Sequence, residues 1–337
     1  MSFSHDAACY PDITKLTKSF CGGPGGHLQC GNKKKSPLAA SVIVCTYNRS
    51  PLLKRLLESL ARQTAPADTF EIIVVDDGSV DDTAEVCRLW AARMPNMRYI
   101  PMECNSGLSA AGNRAAAEAG GEYLLFTDDD CLPHPCWVET MCAALKDFPI
   151  AAGAVVSPRS DYFKLCHNIA QFYPFMPGQK SRRLDFIAGA NMGFQAGVVK
   201  EIGAFDTGTI IPDMEYILRA RMKGYFIHYA PAAVVTHDPP RVTPGDVLGY
   251  AAAHASETIL LRHQYREMLR TPFVLLSPAL ILLAAPLIAL KTTVGIYLRN
   301  RKLLRYFHTV PIVFLSKLAW CWGAARGLRA RNRKEVR

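Results

Sequence analysis

Three segments of this chain run from apolar residues straight into polar, acid-bearing ones, and no other feature restricts the fold as much. They are SVIVCTYNR (Ser41 to Arg49), EIIVVDDGS (Glu71 to Ser79) and YLLFTDDDC (Tyr123 to Cys131). The first two are rich in Val and Ile, and the third is led by Tyr, Leu and Phe. Such runs are how a strand reads when both its faces are covered, as in a parallel sheet packed between helices. Polar residues at the C-terminal ends of these strands face the crevice in which open α/β sheets bind their ligands. Carboxylates gathered in one crevice repel one another, and a divalent cation between them removes that penalty.

Strands and helices alternate from Ser41 onward. A strand over 42–45 precedes a helix whose Leu52, Leu53, Leu56, Leu57 and Leu60 share one face. Pro51 suits the first turn of that helix, with Ser50 as its N-cap. A strand at 72–75, a helix near 82–93 and a short strand from Arg98 to Pro101 follow. The Ala-rich stretch Ser109 to Ala119 is helical and ends at Gly120-Gly121, and a strand at 123–127 then delivers the acidic triple. This order predicts a doubly wound, Rossmann-like, mostly parallel α/β sheet, with residues 39–130 as its nucleotide-binding half.

A second half, 131–245, is more mixed. It offers a strand from Ala151 to Pro158, a loop or short helix from Tyr162 to Pro174, and a Gly-punctuated strand region from Leu184 to Gln195. A helix from Met214 to Lys223 stops at Gly224, and strands at Phe226 to Tyr229 and Ala233 to His237 close the unit. No internal repeat is visible.

The charge is unevenly placed. The chain carries +10 in all, but from Lys291 to Arg337 twelve Lys and Arg face one acid, Glu335, which is +11 and leaves about −1 for the rest. A basic tail beside a near-neutral body argues against a nucleic-acid groove and for an electrostatic contact made by the tail. Residues 246–337 also hold an uncharged stretch, Thr271 to Leu290, bounded by Arg270 and Lys291 and containing Pro278 and Pro286. Twenty such residues suffice to cross a bilayer. Basic residues flank both sides, however, so an interfacial or re-entrant hairpin satisfies both clusters better than a simple crossing. A second apolar stretch, Val310 to Gly323, is broken by Lys317 and too short to span. The competing expectation is a helical subdomain packed on the core.

Eleven cysteines without an apparent signal peptide point to a reducing compartment. Residues 1–38, with CGGPGG and Lys33-Lys34-Lys35, read as a flexible arm. Cys9, Cys21, His27 and Cys30 lie within it, at spacings that match no standard zinc pattern.

With these segments in view, the chain from about Ser41 to His237 resembles the family 2 glycosyltransferases, whose nucleotide-sugar-binding domain has the GT-A fold. The resemblance rests on VIVCTYNR, VVDDGSVDDT, Asn105-Ser106-Gly107 with Gly112-Asn113-Arg114, FTDDDC as an Asp-x-Asp motif, GANMGFQ, IGAFD and PDMEYILRARMKG, in that order. Each motif alone is weak, and their order and spacing together are specific.

The resemblance implies an inverting, metal-dependent transfer of a sugar from a nucleotide diphosphate sugar. It implies that Asp130 holds a divalent cation, Mn²⁺ or Mg²⁺, against the departing phosphates, with Asp128 meeting the ribose or the metal. It further implies His237 as a third metal ligand; Thr46, Tyr47 and Arg49 at the donor, with Tyr47 stacking on the base; and Asp76 and Asp77 near the nucleotide, one toward the base and the other supporting the loop. Arg114 is expected to pair with a phosphate or with an acid, the latter as a structural ion pair. Asp213 is the expected general base, opposite the leaving phosphate, with Glu215 as runner-up and acceptor-pocket residue. The family's motif often begins Glu-Asp, and here Pro212 stands in place of the Glu. Gly189 and Asn191 are expected to line the donor sugar or acceptor. Trp137 is expected in the core, and His228 and His254 in structural roles. From alternation along a strand, Asp128 and Asp130 share a face while Asp129 turns away.

The expected acceptor is lipid-linked or a cell-envelope glycan, reached at the cytoplasmic face of the inner membrane. Other readings are a non-catalytic nucleotide-sugar-binding or partner module of the same fold, a membrane-docking interaction protein and a nucleotidyltransferase. The last should carry a Gly-rich loop after its first strand, which CTYNRSP lacks.

Overall fold

The computed structural model describes residues 38–158, 161–209 and 211–335. The N-terminal arm up to residue 37, with its four candidate metal ligands, lies outside the described residues.

The first half alternates as β1 (Ala40–Thr46), α1 (Ser50–Leu60), β2 (Phe70–Asp76), α2 (Thr83–Ala91), β3 (Met97–Pro101), α3 (Leu108–Glu118) and β4 (Tyr123–Phe126). β1 pairs in parallel with β2 and β4, and β2 with β3, so these four strands stand in the order β3-β2-β1-β4. Val42, Val44, Ile72, Ile73, Val74, Val75 and Leu125 are fully buried. Covered on both faces, these strands need no polar alternation, which is why they read as apolar runs. α1 buries Leu53, Leu56, Leu57 and Leu60 as its spacing predicts. Ser50 is not its N-cap. Arg49 occupies that position, and the Ser50 amide donates to Asp81 Oδ2 at 3.0 Å, so a carboxylate from the neighbouring loop does the capping.

The second half contributes β5 (Cys131–Pro133), α4 (Trp137–Asp147), β6 (Ile150–Val156), α5 (Tyr162–Phe172), β7 (Arg183–Leu184), β8 (Met192–Gln195), α6 (Ala196–Ile202), α7 (Pro212–Met222) and β9 (Ile227–His237). One nine-stranded sheet results, ordered β3-β2-β1-β4-β8-β6-β9-β5 with β7 beside β9. β1, β2, β3, β4, β6 and β9 run the same way, while β8 runs against both its neighbours. The two final strands expected from the sequence are one strand with an irregularity, since the register slips between Gly153 and Ala154 opposite Ala230 and Val234.

Asn191 explains how that slip is tolerated. Its Nδ2 donates to the carbonyls of Ala154 and Ala233 at 2.9 Å each, and its Oδ1 accepts from Trp137 Nε1 at 2.8 Å. A buried carbonyl left unpaired by the bulge would be costly. Gly153 is required alongside, because a Cβ there would lie 2.2 Å from Asn191 Nδ2. Trp137 is fully buried, in the core as expected.

Three long helices follow: α8 (Pro244–Gln264), α9 (Pro278–Arg299) and α10 (Val310–Glu335). α8 opens with a capping box of Thr243 and Asp246. α8 and α10 pack through small residues. A Cβ on Gly323 would meet the Ala252 carbonyl at 2.0 Å, and one on Gly327 would meet that of Ser256 at 2.3 Å. The stretch beginning at Val310 is therefore the start of a helix packed on α8, with Cys321, Ala324, Ala325 and Leu328 buried. These helices close over the C-terminal edge of the sheet.

Candidate active site

The polar site is built where β1, β4 and β9 end. β4 stops at Phe126, and a turn closed by the Cys131 amide donating to the Asp128 carbonyl (3.0 Å) carries the three aspartates. Oxygens of Asp128 and Asp130 and the Cys131 sulfur lie within 4.8 Å of one another. Asp129 points elsewhere. It accepts from Thr46 Oγ1 at 2.8 Å and from Arg49 Nη1 at 3.0 Å, which ties the end of β1 to the end of β4. The separation expected from strand alternation is thus produced by a turn.

His237 reaches this cluster through sheet register. β5 pairs antiparallel with the end of β9, with Cys131 opposite His237, and the Asp238 amide donates to the Asp130 carbonyl at 2.8 Å. The His237 Nε2 then lies 3.5 Å from Asp130 Oδ1, and its Nδ1 lies 2.6 Å from Asn168 Oδ1. The Asn168 amide nitrogen donates to Ser157 Oγ and to the His237 carbonyl, so its oxygen must be the acceptor from Nδ1–H. Burial, with Arg241 adding to it, pushes the imidazole down to about 3, so it is neutral at physiological pH. Its Nε2 consequently presents a lone pair toward the Asp130 carboxyl.

Burial raises the carboxyls of Asp128, Asp129 and Asp130 above their usual range. For Asp128 the neighbouring Asp130, Asp129 and Asp213 carboxylates add to the rise, whereas Arg49 and Arg241 oppose it for Asp130. Clustered carboxylates beside a correctly oriented neutral imidazole are a donor set that fits a divalent cation. Burial likewise holds the Cys131 thiol well above its ordinary value, so it is protonated in the metal-free site.

Asp213, in the first turn of α7, lines one cavity together with Asp128 and accepts from the Gly189 amide at 3.0 Å. A Cβ at Gly189 would come within 3.2 Å of Asp213 Oδ2, so glycine keeps that carboxylate in place. Tyr250 and His254 of α8 line the same cavity and feel the Asp213 charge.

Several expected donor and acceptor residues stand elsewhere. Asp76 accepts from the Ser79 amide and the Tyr99 hydroxyl at 2.9 Å each, and Asp77 accepts from the Ser106 and Gly107 amides at 2.8 Å each. The loop-supporting role expected of one of them therefore falls to both. Thr46 is 3% exposed and donates its hydroxyl to Asp129. Tyr47 is exposed. Arg114 pairs with Glu118 of its own helix at 3.2 Å. Glu215 is held by Arg219 at 2.8 Å and, like Asn191, does not line the cavity. His228 stacks on Phe148 as a structural residue, but His254 is at the site.

Sequence reasoning also missed Arg241, whose guanidinium lies 4.1 Å from the Tyr250 ring centroid within electrostatic reach of Asp128 and Asp130. Its position four residues after His237, beyond Pro239-Pro240, was the available signal. Asn168 had none.

Similar proteins match this architecture. A Glycosyl transferase family 2 model matches residues 41–203, and a Glycosyl transferase family group 2 model matches residues 123–323, more than half of the chain. Glycosyltransferase AglE of Haloferax volcanii is 27% identical over 209 residues, covering 58% of this chain and 66% of AglE. Validoxylamine A glucosyltransferase of Streptomyces hygroscopicus subsp. jinggangensis is 34% identical over 151 residues, 43% of this chain and 35% of that protein. The chain thus spans just under two thirds of the first relative and about a third of the second. Mannosyltransferase PcManGT from Pyrobaculum calidifontis shares the fold with a TM-score of 0.54 at 20% identity, over 84% of this chain and 88% of that one. With its sheet order, its acidic turn at the strand ends and these matches, the chain belongs to the family 2 glycosyltransferases and has their GT-A fold.

Proposed function

We infer that this protein moves a sugar from a nucleotide diphosphate sugar to a hydroxyl of a lipid-linked or cell-envelope glycan, with inversion at the anomeric carbon. The observation that carries this reading is that Asp128 and Asp213 line one cavity within electrostatic reach of each other, with Asp130 clustered beside Asp128 and His237 3.5 Å from Asp130. Asp213 takes the proton of the acceptor hydroxyl as its oxygen bonds to the anomeric carbon. The bond from that carbon to the diphosphate oxygen breaks on the opposite side, which inverts the centre. Arg49 and Arg241 place positive charge where the diphosphate departs. Asp128, Asp130 and His237 would hold the divalent cation, which when bound supplies Lewis-acid stabilisation of the phosphate oxygens. Mn²⁺ suits a site with an imidazole ligand better than Mg²⁺ does. PcManGT, solved with GDP-Man and Mn²⁺, supports that choice.

The test is a panel of nucleotide sugars with Mn²⁺ or Mg²⁺. One of them should raise the melting temperature by roughly 5 °C or more at a hundredfold excess over Kd. The rise should need the cation, vanish with chelator and be accompanied by release of nucleoside diphosphate once an acceptor extract is added. Donor binding without turnover against any acceptor would favour the non-catalytic module instead.

The enzyme acts, in this reading, at the cytoplasmic face of the inner membrane. The reason is α9, whose 22 residues have a mean hydropathy of 2.0 in their most apolar window. Leu283, Leu287, Leu290, Val294 and Leu298 are exposed along one side, while Ile281, Ala289, Thr293 and Ile296 pack inward. Arg266 and Arg270 precede the helix, and Lys291, Arg299, Arg301, Lys302 and Arg305 accompany its end. A helix lying in the interface satisfies both the leucine stripe and the two basic clusters. The eight described cysteines are all free, in keeping with a reducing compartment. The chain should co-sediment with vesicles containing anionic lipid, less so at high salt. Leu283→Asp with Leu287→Asp should weaken this by about tenfold or more, as each leucine is worth about 1.5–3 kcal/mol when buried. Unchanged sedimentation of the double variant would remove α9 as the contact.

A further inference from the structure

The cavity between the sheet edge and the C-terminal helices has a volume of about 650 Å³, and only one end of it is accounted for by sugar transfer. Asp128 and Asp213, within electrostatic reach of each other, mark that end. Much of the remaining wall is apolar, with Phe172, Leu275, Ile288 and Trp320 among the lining side chains. One stripe of α8 runs along it through Tyr250, His254 and Thr258 and is closed by Arg262. At 1.5 Å per residue this stripe is ~18 Å long. A saccharide needs hydrogen-bonding partners over most of its surface, so a long apolar wall fits a hydrocarbon chain instead.

Lys317, the residue that interrupts the apolar stretch of α10, lines this cavity. Its ammonium donates to the Ala170 carbonyl at 2.7 Å and, among the described residues, has no carboxylate within ion-pair distance. Two of its three donors are left for a ligand. Burial lowers it to about 8, so it still carries its charge at neutral pH. A buried cation without a counter-charge is costly, and an anion removes that cost. His254 lies within electrostatic reach of both Lys317 and Asp213, which places the ammonium near the reacting end. On α9, Ile288 and Thr292 face the cavity while the exposed leucines occupy the opposite side, so a single helix separates the cavity from the membrane-facing stripe.

We propose that this cavity is the acceptor site and that it takes a lipid phosphate, with the phosphate on Lys317 and the hydrocarbon chain along the apolar wall between α8 and α9. The proposal rests on the glycosyl-transfer reading and narrows its acceptor to a sugar carried on a lipid phosphate. The sugar hydroxyl stands at Asp213 and the phosphate below it.

The full chain, in detergent, is titrated with farnesyl phosphate, farnesol, lysophosphatidic acid and inorganic phosphate, with tryptophan fluorescence reporting through Trp320. Farnesyl phosphate should bind at least tenfold more tightly than farnesol. Lys317→Met should erase that difference while leaving farnesol binding in place. Ile288→Phe, which narrows the cavity from α9 and leaves the tryptophan signal unchanged in origin, should weaken both, and melting curves show that each variant is folded. Equal binding of phosphate and alcohol, or a preference that survives Lys317→Met, overturns the proposal. Lysophosphatidic acid binding as tightly as farnesyl phosphate would hand the site to bilayer phospholipid and overturn the acceptor role. Nucleotide-sugar turnover, measured separately, separates the two ideas. Turnover without farnesyl phosphate binding sinks this one alone, and binding without turnover sinks the transfer reading alone.

Discussion

Asp130→Ala is expected to lower sugar transfer by about a thousandfold or more, because it removes the carboxylate proposed to hold the cation, the one that His237 faces at 3.5 Å. The several kcal/mol that a cation contributes to a departing diphosphate corresponds to that range. The fold should not suffer. The Asp130 carboxyl is raised above its ordinary value by burial, so its ionisation opposes folding at every pH above the unfolded value near 4. Its contribution is most favourable below that value and is lost as pH rises through the folded pKa. Replacing it should therefore leave the melting temperature of the metal-free protein at pH 7 equal or higher, while the stabilisation by nucleotide sugar with Mn²⁺ disappears. Steady-state turnover beside a melting curve in chelator checks both halves. Normal turnover in Asp130→Ala would refute the metal-site assignment.

Asp213→Asn should reduce kcat by about 10²- to 10⁴-fold, the usual contribution of a positioned general base. The amide keeps the size of the side chain and can still accept from the Gly189 amide, so α7 and the cavity wall should keep their shape. Donor affinity, read by the cation-dependent melting shift, should change little, because Asp213 is not part of the cluster of Asp128, Asp130 and Cys131. A loss in kcat without a loss in donor affinity is the expected signature. Full rate in this variant would place the base elsewhere. Glu215 is a poor substitute, since Arg219 holds both its oxygens and the pair braces the carbonyls of Ile202 and Ala204.

The first half of the fold was legible because each strand carries its own signature. Val42 to Val44 and Ile72 to Val75 lie between helices, and burial on both faces makes the residue pattern local. The acidic turn was legible for the same reason, because an apolar strand leading into three aspartates is a local event. Donor-side detail was not. Whether Asp76 and Asp77 face a ligand or a loop depends on where residues 79 and 105–107 fold back, and the loop took both carboxylates. Asn191 was misplaced because its role arises from a register slip between β6 and β9, which leaves no mark on the neighbours of Asn191 in the chain.

By itself the sequence determined the parallel core, the acidic turn at its edge, the candidate base on α7 and the apolar, basic character of the C-terminal region. Periodicity, charge and residue order within a segment are enough for these. Tertiary structure alone decided that β5 pairs with β9 and so brings His237 to Asp130, that Asn168 orients its ring, and that the C-terminal helices roof the site with Lys317 inside. Pairings between residues far apart in the chain are chosen by packing and by the need to satisfy buried polar groups, and neither is written in any local stretch of residues.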